Sequence, residues 1–456
     1  MNLSYRVFLF FTVALIVLTS CQTPEPVSHL PDVDDTELNL DRIFTDSSVF
    51  TESLTGFVLY DPETDSVLHD RDAHRFFTPA SNTKILTLFA SLNALPDTLA
   101  SLRYEVRNDT LYFRGTGDPS FLNPNFEFYE VYQFLSDRDE ILVYDDSHYD
   151  DEHFGSGWSW NWYPQAYAPE KSPFPIYGNI MRLQAQQVAL VMLNENTPVE
   201  PAYFERFINQ KEWDGNQMEL VTRGHRTNEI SYVPKSDTAR QERNIPFVYD
   251  RELIVDLLAD TLGRDVLLHN GQDIDYYNST LYATPAKPLY ERMMVVSDNL
   301  IAEQLMLMIS DQEFGKMNTA RAISYSISNF MDDLPQRPRW SDGSGLTRYN
   351  LITPFTTVIL LEKLYEMLGR EETLSLFPVG GISGTISGWY RAPEGQPPFV
   401  YAKTGTLRNN TSLSGYLFTD SGRRLTFSFH NNNYVFSNNL MRSEMNTVLQ
   451  FIRENY

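Results

Sequence analysis

The chain has 456 residues, 42% of them hydrophobic, enough to bury a sizeable core spread over two or three domains. Acidic residues outnumber basic ones by 60 to 36, a net charge of -24, which argues against nucleic acid as a partner because phosphates need clustered cations. A single cysteine, Cys21, excludes an intramolecular disulfide and any paired-cysteine metal or redox motif.

Residues 1–20 read as a signal peptide: Arg6 supplies positive charge, and Val7–Leu18 form an apolar run too short for a comfortable membrane span. The run closes on Leu18-Thr19-Ser20-Cys21, which resembles the bacterial lipobox, where cleavage leaves a cysteine as the lipid-bearing N-terminus. That resemblance implies export to the periplasm and attachment to a membrane through a lipid on Cys21. By analogy with such signals, Gln22 in place of an aspartate favours the outer membrane. Residues 21–41 are rich in Pro, Asp, Glu and Thr without periodicity and read as a tether.

Order is expected from residue 42. Gly56–Tyr60 and Ser66–His69, joined across Asp61–Asp65, predict a hairpin. Pro79 then opens a buried helix marked by Ile85, Leu86, Leu88, Phe89 and Leu92, with Ser81 in its first turn. From residue 95 to 282 the pattern changes to short alternating runs broken by Gly, Asp and Pro, which predicts a β-rich inserted domain between 42–94 and 283–456. Helical spacing returns over Leu289–Met308 and Thr353–Leu368. Strands follow at Phe399–Lys403, Thr411–Phe418 and Arg424–His430, and a last amphipathic helix covers Asn438–Glu454.

A serine hydroxyl needs a base within reach, and a residue three positions along a helix lies on the same face. Ser81 and Lys84 have that spacing. A lysine serves as base only when burial or a neighbouring cation lowers its pKa. Two more segments follow in order: Ser297-Asp298-Asn299 and Lys403-Thr404-Gly405-Thr406. The eight histidines show no metal-ligand spacing, and neither a phosphate-cradling loop nor a dinucleotide fingerprint is present. The aromatic run Trp158, Trp160, Trp162 and Tyr163 is read as packing in preference to a glycan platform.

The ordered triple resembles the signature of β-lactamases and penicillin-binding proteins. Further stretches narrow the resemblance to the class C low-molecular-mass penicillin-binding proteins, the serine D-Ala-D-Ala carboxypeptidase and endopeptidase family with a large insertion after the nucleophile. Gly115–Ser120 is similar to its Gly-x-Gly-Asp-Pro segment, Ser341–Asn350 to its Asp-Gly-Ser-Gly-Leu-Ser-Arg stretch, and Gly380–Thr385 to its Ala-Gly-x-Asp-Gly-Thr stretch, departing at Ser383. The resemblance implies an α/β sandwich, an antiparallel sheet flanked by helices, carrying a large β-rich insertion.

It also implies roles. Ser81 is the expected nucleophile, Lys84 its base, and Ser297 a proton relay to the leaving amine. Asn299 holds the substrate amide, while Lys403, Thr404 and Thr406 meet its terminal carboxylate and Gly405 permits close approach. Backbone N–H groups of Ser81 and Thr406 form the oxyanion hole. Arg348 is a candidate carboxylate binder, and Asp145 a candidate reader of the substrate's free amino group. No cofactor is implied; peptidoglycan stem peptides are the expected substrate and β-lactams the covalent inhibitors. The rivals are a β-lactamase and a non-catalytic wall-binding lipoprotein.

Overall fold

The computed structural model describes residues 39–186, 189–191, 198–212, 221–233, 241–271 and 277–456. Cys21, the signal-like run and nearly all of the 21–41 tether lie outside the described residues. Five strands build the central sheet: β1 (Leu54–Asp61), β2 (Ser66–Arg71), β3 (Val400–Leu407), β4 (Asn410–Phe418) and β5 (Arg424–Asn432). Their order is β3-β4-β5-β1-β2 with every pair antiparallel, so the N-terminal hairpin joins the C-terminal meander where Leu54 faces Asn432.

Four helices position the site: α1 (Thr83–Ala94), α2 (Asn299–Phe314), α3 (Pro354–Leu376) and α4 (Asn438–Asn455). Side chains alternate across a strand, so Leu425, Phe427 and Phe429 of β5 share one face with Phe57 and Leu59 of β1. Met441, Met445, Val448, Leu449 and Ile452 form the stripe of α4 that covers this face, and burying each contributes about 1.5–3 kcal/mol. On the opposite face α3 packs against β1 and β5, while α1 and α2 pack beneath. The expected α/β sandwich is therefore present.

Residues 98–285 build further sheets. One has the order Val266–Leu268, Ile141–Tyr144, Thr110–Gly115, Thr98–Arg107, Ser279–Pro285, around a separate core that includes Phe113, Tyr144, Phe174 and Leu257. Two helices, Glu130–Ser136 and Arg251–Leu262, join this otherwise β-rich segment. Asp118 of the Gly-x-Gly-Asp-Pro stretch is buried, accepting hydrogen bonds at 2.5 Å from Ser101 and Thr284, which lie on the strands that enter and leave the segment. Burial pushes its carboxyl pKa up. Its place is structural.

The helical spacing read over Leu289–Met308 is interrupted. A helix Ala286–Val295 ends, Ser297 takes φ +65°, and α2 starts afresh with Asp298 accepting from Ile301 N–H. Both helices pack on the same core, so the apolar period runs through the break. The break turns Ser297 toward the sheet.

Candidate active site

Ser81 occupies a short 3-10 turn, Ala80–Asn82, immediately before α1 rather than inside it. Polar contacts from the sheet pin that turn: Ser412 Oγ donates to the Pro79 carbonyl at 2.6 Å, Asn82 Nδ2 to the Lys403 carbonyl at 2.7 Å, and Ser414 Oγ to Asn82 Oδ1 at 2.7 Å. Lys84, in the first turn of α1, reaches back so that Nζ lies 3.1 Å from Ser81 Oγ. Nζ also donates to Asn299 Oδ1 and to the Ser344 carbonyl, each at 2.6 Å, so all three donors of the ammonium are used. The side chain is fully buried. Burial lowers its pKa to about 8 against the opposing pull of Asp342, Glu303 and Asp298, leaving about a tenth neutral at pH 7.

Lys403, on β3, is the second buried cation; its Nζ donates to Ser297 Oγ and to the Thr404 carbonyl, each at 2.9 Å. Burial holds its pKa well below the usual lysine range, and the neighbouring Lys84 charge lowers it further. The pKa depression that a lysine base needs is thus present in Lys84, and burial is its cause.

β3 is an edge strand. Over its first half that edge is occupied: Ala402 N–H donates to the Pro378 carbonyl and Gly380 N–H to the Val400 carbonyl. Alternation along an antiparallel strand then directs the N–H groups of Thr404 and Thr406 to the same, outward edge. Gly405 lets the nucleophile turn sit against the strand, since a Cβ there would lie 2.3 Å from the Pro79 carbonyl oxygen and 3.0 Å from Ser81 N. A cavity of about 600 Å³ opens over this edge, lined by Ser81, Ser297, Asn299, Thr404 and Thr406 together with Trp162, Tyr167, Thr385, Arg408 and Arg442.

Eight of the eleven candidate positions meet at this site. Ser81, Lys84, Ser297, Asn299, Lys403, Thr404, Gly405 and Thr406 converge on it. Arg348 does not line the cavity; its Nη2 donates to the Arg408 carbonyl at 2.9 Å, bracing the turn after β3. Asp145 is also off the cavity, buried within the 98–285 segment, where it accepts from Tyr277 Oη at 2.7 Å and Ser147 N–H at 3.0 Å. Cys21 lies outside the described residues. At the departure from the resembling stretch, Ser383 Oγ accepts from Val379 N–H at 3.1 Å and holds the turn before Thr385, whose hydroxyl accepts from Thr404 Oγ1 at 2.7 Å.

Sequence reasoning missed Ser344, Tyr167 and Glu303. Glu303 follows Asn299 by one helical turn, a spacing that could have marked it. It is buried; Oε1 accepts from Ser344 N–H at 2.8 Å while Oε2 has no partner. Burial, with Asp342 adding repulsion, raises its pKa from 4.5 to about 7. A raised carboxyl pKa means stability is full below the unfolded-state value and is lost as pH rises through 7. Glu303→Gln keeps the acceptor without the charge, so at pH 8 it is expected to gain on the order of 3 kcal/mol over wild type, with little difference at pH 4. Denaturant melts at the two pH values check this.

A family profile described as D-Ala-D-Ala carboxypeptidase 3 (S13) matches residues 36–455. The chain belongs to this family. It is a serine-type D-Ala-D-Ala carboxypeptidase. Among curated relatives, the D-alanyl-D-alanine carboxypeptidase DacB of Haemophilus influenzae is 24% identical over 446 residues, covering 89% of this chain and 90% of that one. The D-alanyl-D-alanine carboxypeptidase of Actinomadura sp. (strain R39) is 25% identical over 472 residues, covering 93% and 86%. The crystal structure of penicillin binding protein 4 (dacB) from Haemophilus influenzae shares the fold with a TM-score of 0.73 at 20% identity, covering 92% of this chain and 100% of that one.

Proposed function

We propose that the enzyme hydrolyses the terminal D-Ala-D-Ala bond of peptidoglycan stem peptides, or the equivalent cross-link, through an ester on Ser81. The observation that carries this is the Ser81 hydroxyl 3.1 Å from a buried lysine whose pKa is lowered to about 8. Neutral Lys84 takes the hydroxyl proton as Oγ attacks the carbonyl carbon of the penultimate D-Ala. The developing oxyanion is received by the N–H groups of Ser81 and Thr406, and such preorganised donors lower a barrier by about 3–4 kcal/mol each. Ser297, bridged to Lys403 at 2.9 Å, relays a proton to the departing amine. Lys403, Thr404 and Thr406 hold the terminal carboxylate. Asn299 has two amide hydrogens; Tyr167 takes one, and the other serves the acyl donor's carbonyl. Water then cleaves the ester by the reverse relay, regenerating Ser81. β-Lactams enter the same path and stay as the ester. Arg348 and Asp145 act at a distance, as braces.

We also infer that residues 1–20 are removed, that Cys21 carries lipid, and that residues 21–41 tether the enzyme to the periplasmic side of a membrane, by preference the outer one. Residues 42–94 and 283–456 would form the catalytic domain and 95–282 the insertion. Among the described residues no helix is long and apolar enough to cross a membrane.

Intact-protein mass spectrometry of the exported full chain tests both inferences. With benzylpenicillin, wild type is expected to gain one drug mass and Ser81→Ala none; an adduct persisting in the variant would remove Ser81 from its role. The same spectrum should show a chain starting at Cys21 with acyl mass added. A chain cut elsewhere, without that mass, rules out the anchor.

A further inference from the structure

The insertion touches the supports of the general base at two points. Apart from Ser81, Lys84 Nζ is held by Asn299 Oδ1 and the Ser344 carbonyl. Asn299 in turn donates through Nδ2 to the Tyr167 carbonyl at 2.6 Å. Ser344 belongs to a turn closed by Asp342, which accepts from the N–H groups of Gly345 at 2.8 Å and Thr347 at 2.7 Å. Into that same carboxylate Trp158 Nε1 donates at 2.8 Å. Each acceptor that aims the lysine is therefore backed by one residue of the segment Phe154–Ala168.

Packing agrees with the hydrogen bonds. Trp158 is 8% exposed and forms a small apolar cluster with Ala168 and Leu346 of the turn. Gly157 sits so close that a Cβ there would lie 2.4 Å from Thr347 Oγ1. Trp160, two residues on at the start of a short 3-10 turn, is 75% exposed, so one indole is buried and the next stands in solvent. The inward indole is off the cavity and does not meet substrate.

We propose that Phe154–Ala168 is a positioning element for the general base, with Trp158 acting through Asp342 and Tyr167 through Asn299. The inference rests on Lys84 being that base. A lysine side chain has four rotatable bonds, and a displacement of about 1 Å in a reacting group lowers a rate by about a hundredfold. Asp342 is buried, so losing one of its donors leaves a charge under-satisfied and frees the turn to shift. The insertion is then part of the catalytic apparatus and not a passenger on it.

Stopped-flow acylation of the full chain by a chromogenic penicillin separates drug binding from the covalent step. Trp158→Phe keeps the ring and deletes the donor; the saturating acylation rate is expected to fall about tenfold, the size of one hydrogen bond to a charged group, with the preceding dissociation constant unchanged. Trp158→His, which retains a ring N–H, should recover part of the loss, and Trp160→Phe should match wild type. Gly157→Ala displaces the segment by another route and should also slow acylation, so the idea stays testable if Trp158→Phe does not fold. Wild-type acylation in Trp158→Phe, or in a folded Gly157→Ala, overturns the positioning role. Such a result leaves the base itself intact, because that is decided separately by replacing Lys84.

Discussion

Replacing Lys84 by Met is expected to slow penicillin acylation by about 10³-fold, within the range contributed by a positioned general base. It should also erase the ascending limb of the pH profile. The sign follows from the protonation state that works: the base is the neutral amine, so acylation rises with pH and levels off above the folded-state pKa of about 8. Below it the rate falls about tenfold per pH unit. The Met variant loses a buried ammonium and keeps similar bulk, so it should fold. Rapid acylation with the limb still near pH 8 would remove Lys84 as base and pass the role to Lys403, which reaches Ser297. Glu303 adds an internal check, because its charge raises the Lys84 pKa. In Glu303→Gln the limb should therefore move to lower pH.

The residues whose relation is local were legible in the sequence. Ser81 and Lys84 lie three apart at a helix start, and Lys403 to Thr406 share one strand, so secondary structure alone fixes most of their geometry. The sandwich was legible for a similar reason: the hairpin at Leu54–Arg71 and the C-terminal strands carry period-two patterns, and α4 a single apolar stripe. What the pattern could not convey was contact made by backbone. Ser344 holds Lys84 through its carbonyl and Tyr167 holds Asn299 through its own, and a carbonyl leaves no mark on residue identity.

Charge type misled in the same way. Asp145 carries the right chemistry to read an ammonium, yet strand pairing buries it within the 98–285 segment, where Phe113's carbonyl takes its N–H and Tyr277 its carboxylate. Arg348 is likewise spent on the carbonyl of Arg408. The aromatic run divided: Trp158 packs, Trp162 lines the cavity and Trp160 stays in solvent. Three residues at alternate positions met three environments because the segment winds through a short 3-10 turn, Trp160–Trp162, instead of extending as a strand.

Gly405→Ala should be nearly as damaging as loss of the base, although it removes no functional group. The added Cβ would fall 2.2 Å from Ser412 Oγ and 2.3 Å from the Pro79 carbonyl oxygen, both well inside contact distance. A hydroxyl can rotate away, but a carbonyl fixed between a proline and the nucleophile turn cannot. Either β3 retreats or the turn carrying Ser81 moves by about 1 Å, which predicts acylation about a hundredfold slower. Overpacking of this kind also destabilises by about 1–3 kcal/mol, so thermal melting should fall in parallel. The discriminating variant is Gly405→Ala combined with Ser412→Ala. It relieves the hydroxyl contact and leaves the carbonyl contact, so acylation should stay slow. Recovery in the double variant would assign the role of Gly405 to Ser412 and not to the approach of strand and nucleophile. Because Ser412 also pins the Pro79 carbonyl, the double variant is read against Ser412→Ala alone; a defect beyond that of the single variant would establish that the edge of β3 and the turn at Ser81 are set against each other by backbone contact, with glycine as the residue that allows it.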